Sequence, residues 1–362
     1  MHKIDELEGL RGIMAWWVVV GHLLQTLNLD LPLLSRNTLA VDVFIIISGF
    51  VISYLMAARR EAYGPYILRR GFRLFPLYLV ILAVSTATLP LAGYAIAGLP
   101  FGGSHNVGRL ELVQAALQHP ISHIAAHLVL AQGIVPEWIL PHAPYTLVGQ
   151  AWSISLEWQF YLVAPLIALL CSHAAGRVAF VAIAVATAVM PQWIGDAFLL
   201  DRLGYFAVGI GSFWLFRAVS HDRRLAPVPL IVAVAALLTT LATRSVAMVP
   251  LLLWSVTLAC AESFDLRGRL GLLRRFLVHP AVLSEGRRSY SLYMVHMLML
   301  WAAAGLLTPW IGDRTGLALA IAGITVLASM MMSRWTYRWI ELPGIALGSR
   351  IVRGQAARVP AP

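Results

Sequence analysis

Arg11 and His22 stand eleven positions apart in the first long apolar stretch, so a fixed cation and a titratable imidazole share a segment fit to be a membrane helix. Ionisable groups inside a bilayer are costly, face a bundle interior or a wet cavity, and mark functional sites. A neutral imidazole with a pKa near ~6.5 can take a proton from a hydroxyl or pass one on at physiological pH. Two further groups of that kind are Glu157 and His296. With Arg11 at one membrane boundary, a rise of ~1.5 Å per residue puts His22 roughly 17 Å deeper. The same rise buries Glu157 by ~8 Å from Trp152 on the opposite side, and His296 by ~12 Å from Arg288. All three are expected in the middle third of the membrane, where charged partners are cheaper together than apart.

A second group is cationic. Arg59 and Arg60 are followed by Arg69, Arg70 and Arg73, and the i, i+3 spacing of Arg70 and Arg73 puts two guanidiniums on one helical face. Clustered arginines bind phosphates bidentately, although arginines at an inner helix end are also what membrane topology supplies. Asp42 reads equally as a polar contact of a substrate channel or as an acid favoured by a helix start. His119, His123 and His127 fall at i, i+4 and i+8; with no further ligand of fitting spacing, an interfacial polar stripe is expected rather than a metal site. Tyr290 and Tyr293 open the ninth apolar run, where aromatic-belt residues occur.

The elements that must position these groups follow from composition. Of 362 residues, 59% are hydrophobic and 12% charged, with a mean hydropathy of +0.77. Soluble domains carry about a quarter charged residues, so an integral membrane protein is expected. The net charge of +10 comes almost wholly from arginine, Lys3 being the one lysine. That suits anionic lipid head groups or phosphorylated ligands; no basic run interleaved with exposed aromatics points to nucleic acid. Cys171 and Cys260 lie in or beside apolar runs and indicate neither a disulfide framework nor a thiolate metal site. Asp5, Glu6 and Glu8 precede the first run and nothing resembles a small-residue cleavage site, so a retained helix is expected there.

Runs apolar enough to cross a bilayer, at ~20 residues each, lie near 10–27, 39–58, 72–93, 151–171, 178–195, 203–219, 227–243, 246–263, 289–309 and 316–338. With ten spans and a cytoplasmic N-terminus, 22 of the 27 cations fall inside, leaving Arg36, Arg109, Arg202, Arg244 and Arg314 outside. An eleventh crossing at 111–133 would leave 10 inside and 17 outside, against the positive-inside rule. The expected fold class is therefore all-α: a polytopic membrane protein with ten transmembrane helices and N- and C-termini cytoplasmic. One domain covers 1–344, segment 111–133 forms a helix that lies at the outer surface or dips partway in, and a disordered basic tail with Arg350, Arg353 and Arg358 covers 345–362.

Six blocks occur in order: IDELEGLRGI over 4–13 running on to His22, AVDVFIIISGFVIS over 40–53, RRGFRLFPLY over 69–78, AWSISLEWQFYLVAP over 151–165, SYSLYMVH over 289–296 and WIELPG over 339–344. In these the chain resembles the acyltransferase 3 family of bacterial membrane acyltransferases, which includes O-antigen and Nod-factor acetylases. The resemblance covers almost the whole chain. It implies a ten-helix membrane domain that takes an acyl group from cytosolic acyl-CoA and delivers it to a hydroxyl of a carbohydrate or glycolipid acceptor. Arg11 and His22 match the family's Arg-x10-His element, Arg70 and Arg73 its Arg-x-x-Arg element, and Glu157 its acid in the Trp-Ser-Leu-x-x-Glu block. The chain departs where Trp158 and Gln159 follow that acid in place of a common second acid, and where Leu342 stands between Glu341 and Pro343 in place of the usual arginine.

The resemblance and the depths together implicate His22 as general base, with Glu157 orienting or charge-stabilising it and Arg11 either holding part of CoA or bracing the helix entrance. CoA phosphates are expected on Arg69, Arg70 and Arg73, and support from Asp42, Ser48, Trp152, Ser153, Tyr290, Tyr293 and His296. Acetyl-CoA is the expected co-substrate, without a metal, in a bacterial inner membrane among membrane lipids. The alternative is a proton-coupled transporter using His22 and Glu157, since permeases also bury such groups; no clear inverted repeat supports it. A structural or assembly factor accounts poorly for buried titratable groups.

Overall fold

A computed structural model describes residues 4–59, 61–190, 194–261, 264 and 270–356. Lys3, Arg60, Arg267, Arg269 and Arg358, counted above as inner cations, lie outside the described residues. Among those described the chain is all-helical, with no strand. In order the helices are α1 Asp5–Thr26, α2 Thr38–Ala58, α3 Tyr63–Ala87, α4 Leu89–Gly98, α5 Ser104–Gln118, α6 Pro120–Leu128, α7 Trp152–Leu170, α8 Ala174–Val189, α9 Leu203–Val219, α10 Val228–Thr243, α11 Val249–Cys260, α12 Gly271–Leu277, α13 Pro280–Arg287, α14 Ser289–Leu307, α15 Arg314–Thr336 and α16 Leu342–Ala356.

Each apolar run of the sequence falls on one of these helices or on the α3–α4 pair. Among the described residues six helices are long and apolar enough to cross a membrane, or seven when α3 and α4 count as one broken span. At 16, 17 and 12 residues, α8, α9 and α11 are shorter than the ~20 residues of a straight crossing. The α3–α4 bend is 62°, and Pro90, which lacks a backbone N–H, stands in the first turn of α4. Leu166, Leu169, Val178, Ile231, Leu238, Leu319 and Met331 are exposed, as side chains facing lipid are.

Close backbone contact sets the bundle. α2 and α9 meet through Gly49 and Gly209: a Cβ on the first would lie 2.4 Å from the Phe206 carbonyl oxygen, and one on the second 2.1 Å from that of Ile46. Small residues at helix crossings permit this approach in membranes. α1, which carries Arg11 and His22, packs against α2, α13 and α14.

Two expectations are corrected here. Segment 345–356 is not a disordered tail: a π-helical turn, Tyr337–Glu341, joins α15 to α16, and α16 packs along α3 with Gly348 against the Phe72 ring. Segment 111–133 is not one helix, because Pro120 opens α6 immediately after the break at His119.

Candidate active site

Two neighbouring cavities hold most of the candidate residues. The first, about 50 Å³, is lined by Arg11, Ser48, Ser153, Glu157, Ser289, Tyr290 and Tyr293. The Ser48 hydroxyl of α2 donates to Glu157 Oε1 at 3.0 Å. Tyr161, one turn beyond Glu157 on α7, donates to the same oxygen, and the Arg70 guanidinium lies over the Tyr161 ring at 5.8 Å. Arg11 faces the charges of Arg73, Glu8 and Glu157, and Arg73 those of Glu341, Glu157 and Glu8. Glu341, 2% exposed, accepts from Ser291 at 2.7 Å. Carboxylates thus offset part of the cost of holding the two arginines inside the bundle.

The second cavity, about 480 Å³, is lined by His22, Gln25, Asn37, His105, Arg109, Glu111, Tyr145, Gln150, Trp152 and Trp301, among others. That lies within the ~300–1,000 Å³ of small-molecule sites. The His22 ring stacks on His296, with centroids 5.3 Å apart and planes 29° off parallel. Arg109 of α5 reaches His22 Nδ1 at 3.3 Å, Gln25 Oε1 at 3.2 Å, Thr26 Oγ1 at 2.7 Å and Asn106 Oδ1 at 3.2 Å. Its guanidinium also lies over Trp301 at 5.2 Å. Burial brings its pKa down to about 10, so it remains a cation at neutral pH. His296 Nδ1 sits 2.7 Å from the Tyr293 carbonyl oxygen and therefore donates to it. Its Nε2 is buried without a hydrogen-bond partner.

Tyr293 and Val41 line both cavities. Tyr293 is 5% exposed; its hydroxyl donates to the Gln150 carbonyl at 2.7 Å and meets Ser153 Oγ at 2.8 Å. It forms part of a wall between the two spaces. Tyr290, also buried, donates to the Leu74 carbonyl at 2.6 Å, so neither tyrosine is an aromatic-belt residue. The structure brings His22 together with His296, and Arg11 together with Glu157 and Ser48. It does not bring Glu157 to His22: the hydrogen bonds of Glu157 go to Ser48 and Tyr161.

The arginine cluster divides. Arg70 and Arg73 both face Tyr161, as the i, i+3 spacing predicts, whereas Arg69 pairs with Glu61 at 2.7 Å. Arg70 also lines a pocket of about 210 Å³ with Arg59, Glu61, Tyr63 and Tyr66. Asp42 answers to neither of its two readings. It is 3% exposed and ion-paired at 2.9 Å with Arg202, which also holds Asp196 at 2.6 Å and lies 5.7 Å over the Trp152 ring.

Two histidines of the stripe are core fastenings rather than an interfacial face, while His119 is exposed. His123 and His127 are fully buried. His127 bonds to the Tyr78 hydroxyl at 3.1 Å and to the Ala143 carbonyl and Thr146 hydroxyl at 3.1 and 3.2 Å; Thr146 also reaches His123. Together they tie α6 and segment 129–148, which supplies His142, Tyr145 and Thr146 to the larger cavity, onto α3.

A family model described as an acyltransferase domain, that of acyltransferase 3, matches residues 4–334, nearly the whole chain. The chain belongs to the acyltransferase 3 family. No curated protein and no solved structure gives a match. As an acyltransferase 3 protein with helices apolar enough to span a bilayer, it is a membrane acyltransferase. Within this candidate site, reasoning from sequence passed over Arg109, Gln25, Gln150, Tyr161 and Trp301. For Arg109 one signal was present: it was among the few cations that the charge count left on the wrong side.

Proposed function

We propose that the chain is an acyl-CoA-dependent O-acyltransferase of the bacterial inner membrane, crossing it ten times with both termini cytoplasmic. Acetyl-CoA is the donor, and a hydroxyl of a carbohydrate or cell-surface glycan is the acceptor. The CoA phosphates bind Arg70 and Arg73, and the pantetheine enters along Arg11, Ser48 and Glu157, where the smaller cavity widens to admit it. The thioester reaches Tyr293 from one side while the acceptor lies in the larger cavity on the other. His22 takes the acceptor's hydroxyl proton as its oxygen attacks the carbonyl carbon. The carbon–sulfur bond breaks, and the departing thiolate recovers the proton from the imidazolium, leaving ester and free CoA.

The observation that carries this reading is the pair of adjoining cavities, one bordered by Arg11 and Glu157 and one holding the His22 imidazole among aromatic and amide groups. Aromatic rings and amides are what a sugar's apolar face and hydroxyls call for. The purified protein is expected to release thiol from acetyl-CoA in the presence of a glycan acceptor, and a deletion strain to lack an acyl mass on one surface glycan. A protein that moves protons or solutes across liposomes and releases no thiol is a transporter instead.

A further inference from the structure

We propose that Arg109 guards the basic nitrogen of His22, occupying its Nδ1 lone pair until an acceptor hydroxyl replaces it, and so keeps water from consuming the acyl donor. This rests on the acyltransferase reading above. A guanidinium has donors and no acceptor, so the 3.3 Å contact runs only from Arg109 N–H to His22 Nδ1. In the neutral ring the proton is then on Nε2, and Nδ1 is the one nitrogen able to accept another. The same contact occupies it.

An alcohol presents to Nδ1 what Arg109 presents, a hydrogen on an electronegative atom, so the two compete for one lone pair. The His22 contact is the longest of the four that Arg109 makes; those to Thr26, Asn106 and Gln25 run from 2.7 to 3.2 Å. Released from His22, the guanidinium still keeps three partners and the Trp301 ring, and its helix α5 is not among the candidate spans. An acceptor anchored elsewhere in the cavity displaces it locally. A lone water, with no such anchorage, does not. Once Nδ1 is open, the alcohol's proton passes to it as the alcohol oxygen bonds to the thioester carbon, and the thiolate carries that proton away. Hydrolysis is the same step with water in place of the alcohol.

The test measures thiol release from acetyl-CoA by the purified full-length protein with water as the sole acceptor. Arg109→Met, which keeps bulk and removes the donors, is expected to raise that hydrolysis at least about tenfold, worth ~1.4 kcal/mol in barrier. Arg109→Lys restores part of the suppression, and Thr26→Val, which loosens the tether, gives an intermediate rise. The rise disappears when His22→Ala is added. Hydrolysis by folded Arg109→Met at or below the wild-type rate overturns the guard, as does a rise that survives His22→Ala. If Arg109→Met does not fold, Thr26→Val decides by the same criterion. Thiol release by wild type with an acceptor, together with hydrolysis insensitive to Arg109, defeats the guard alone; no thiol release under any condition defeats the acyltransferase reading itself.

Discussion

The two cavities share a wall and little else. Around Glu157 the space is about 50 Å³ and bordered by Arg11 and Glu157, with Arg73, Glu8 and Glu341 adding their charges from behind the lining. Around His22 it is about 480 Å³ and sets imidazoles, amides and indoles into a largely aliphatic wall, with Arg109 spread over four neutral acceptors. The first has the character of a narrow charged passage, where Glu157 is fixed by Ser48 and Tyr161 and buried charges of both signs lie close together. The second has the character of a reaction vessel, where neutral donors and acceptors can exchange partners with a polyhydroxyl guest at small cost.

That contrast breaks first at His22. His22→Ala is expected to lower acyl transfer by about 10²–10⁴-fold with thermal unfolding in detergent unchanged; wild-type-like acylation would take the base out of the larger cavity. Acid comes next. Burial pushes the His127 pKa down to about 3, against an unfolded value near ~6.5. Between those values the unfolded chain binds the proton and the folded chain does not. Stability present above pH ~6.5 is therefore lost at ~1.4 kcal/mol per pH unit as pH falls toward about 3. Limited proteolysis of segment 129–148 at stepwise lower pH checks this, and equal acid resistance of that segment and the α2–α9 contact would erase the distinction.

Glu157→Ala removes the acceptor of both Ser48 and Tyr161. A loss of about 1–3 kcal/mol follows, read as a lower unfolding midpoint; an unshifted midpoint would show that charge balance is not what holds the smaller cavity. Trp301→Leu removes the ring beneath Arg109, worth about 0.5–1 kcal/mol. It is expected to raise the acceptor KM a few-fold while the KM for acetyl-CoA stays put, and a change in the donor constant instead would mean that the cavities are not separate in function.

Hydropathy made the helices legible, because nearly every apolar run became one. Depth arithmetic correctly gathered His22 with His296, but it left Arg11 at the membrane boundary, whereas Arg11 and Glu157 line one cavity. It erred in joining Glu157 to His22, since depth fixes a position along the membrane normal and leaves open which way around the bundle a side chain points. The i, i+4, i+8 histidines looked like a wet face because the period describes the helix alone, while segment 129–148 folds over it. Arg109 and Arg202 were visible only as exceptions to a topology rule, and both prove to be bonded inside the protein. The helicity of 345–356 was masked by its arginines, although Gly344 and Gly348 allow that stretch to lie close on α3.

Tyr293 carries a further burden. Under the proposed function, donor and acceptor approach it from opposite faces of an energised membrane, and a phenol clamped by Gln150 and Ser153 parts the two spaces. On that reading the ring is also insulation, helping a cell keep its ion gradients while an enzyme works through the barrier that stores them.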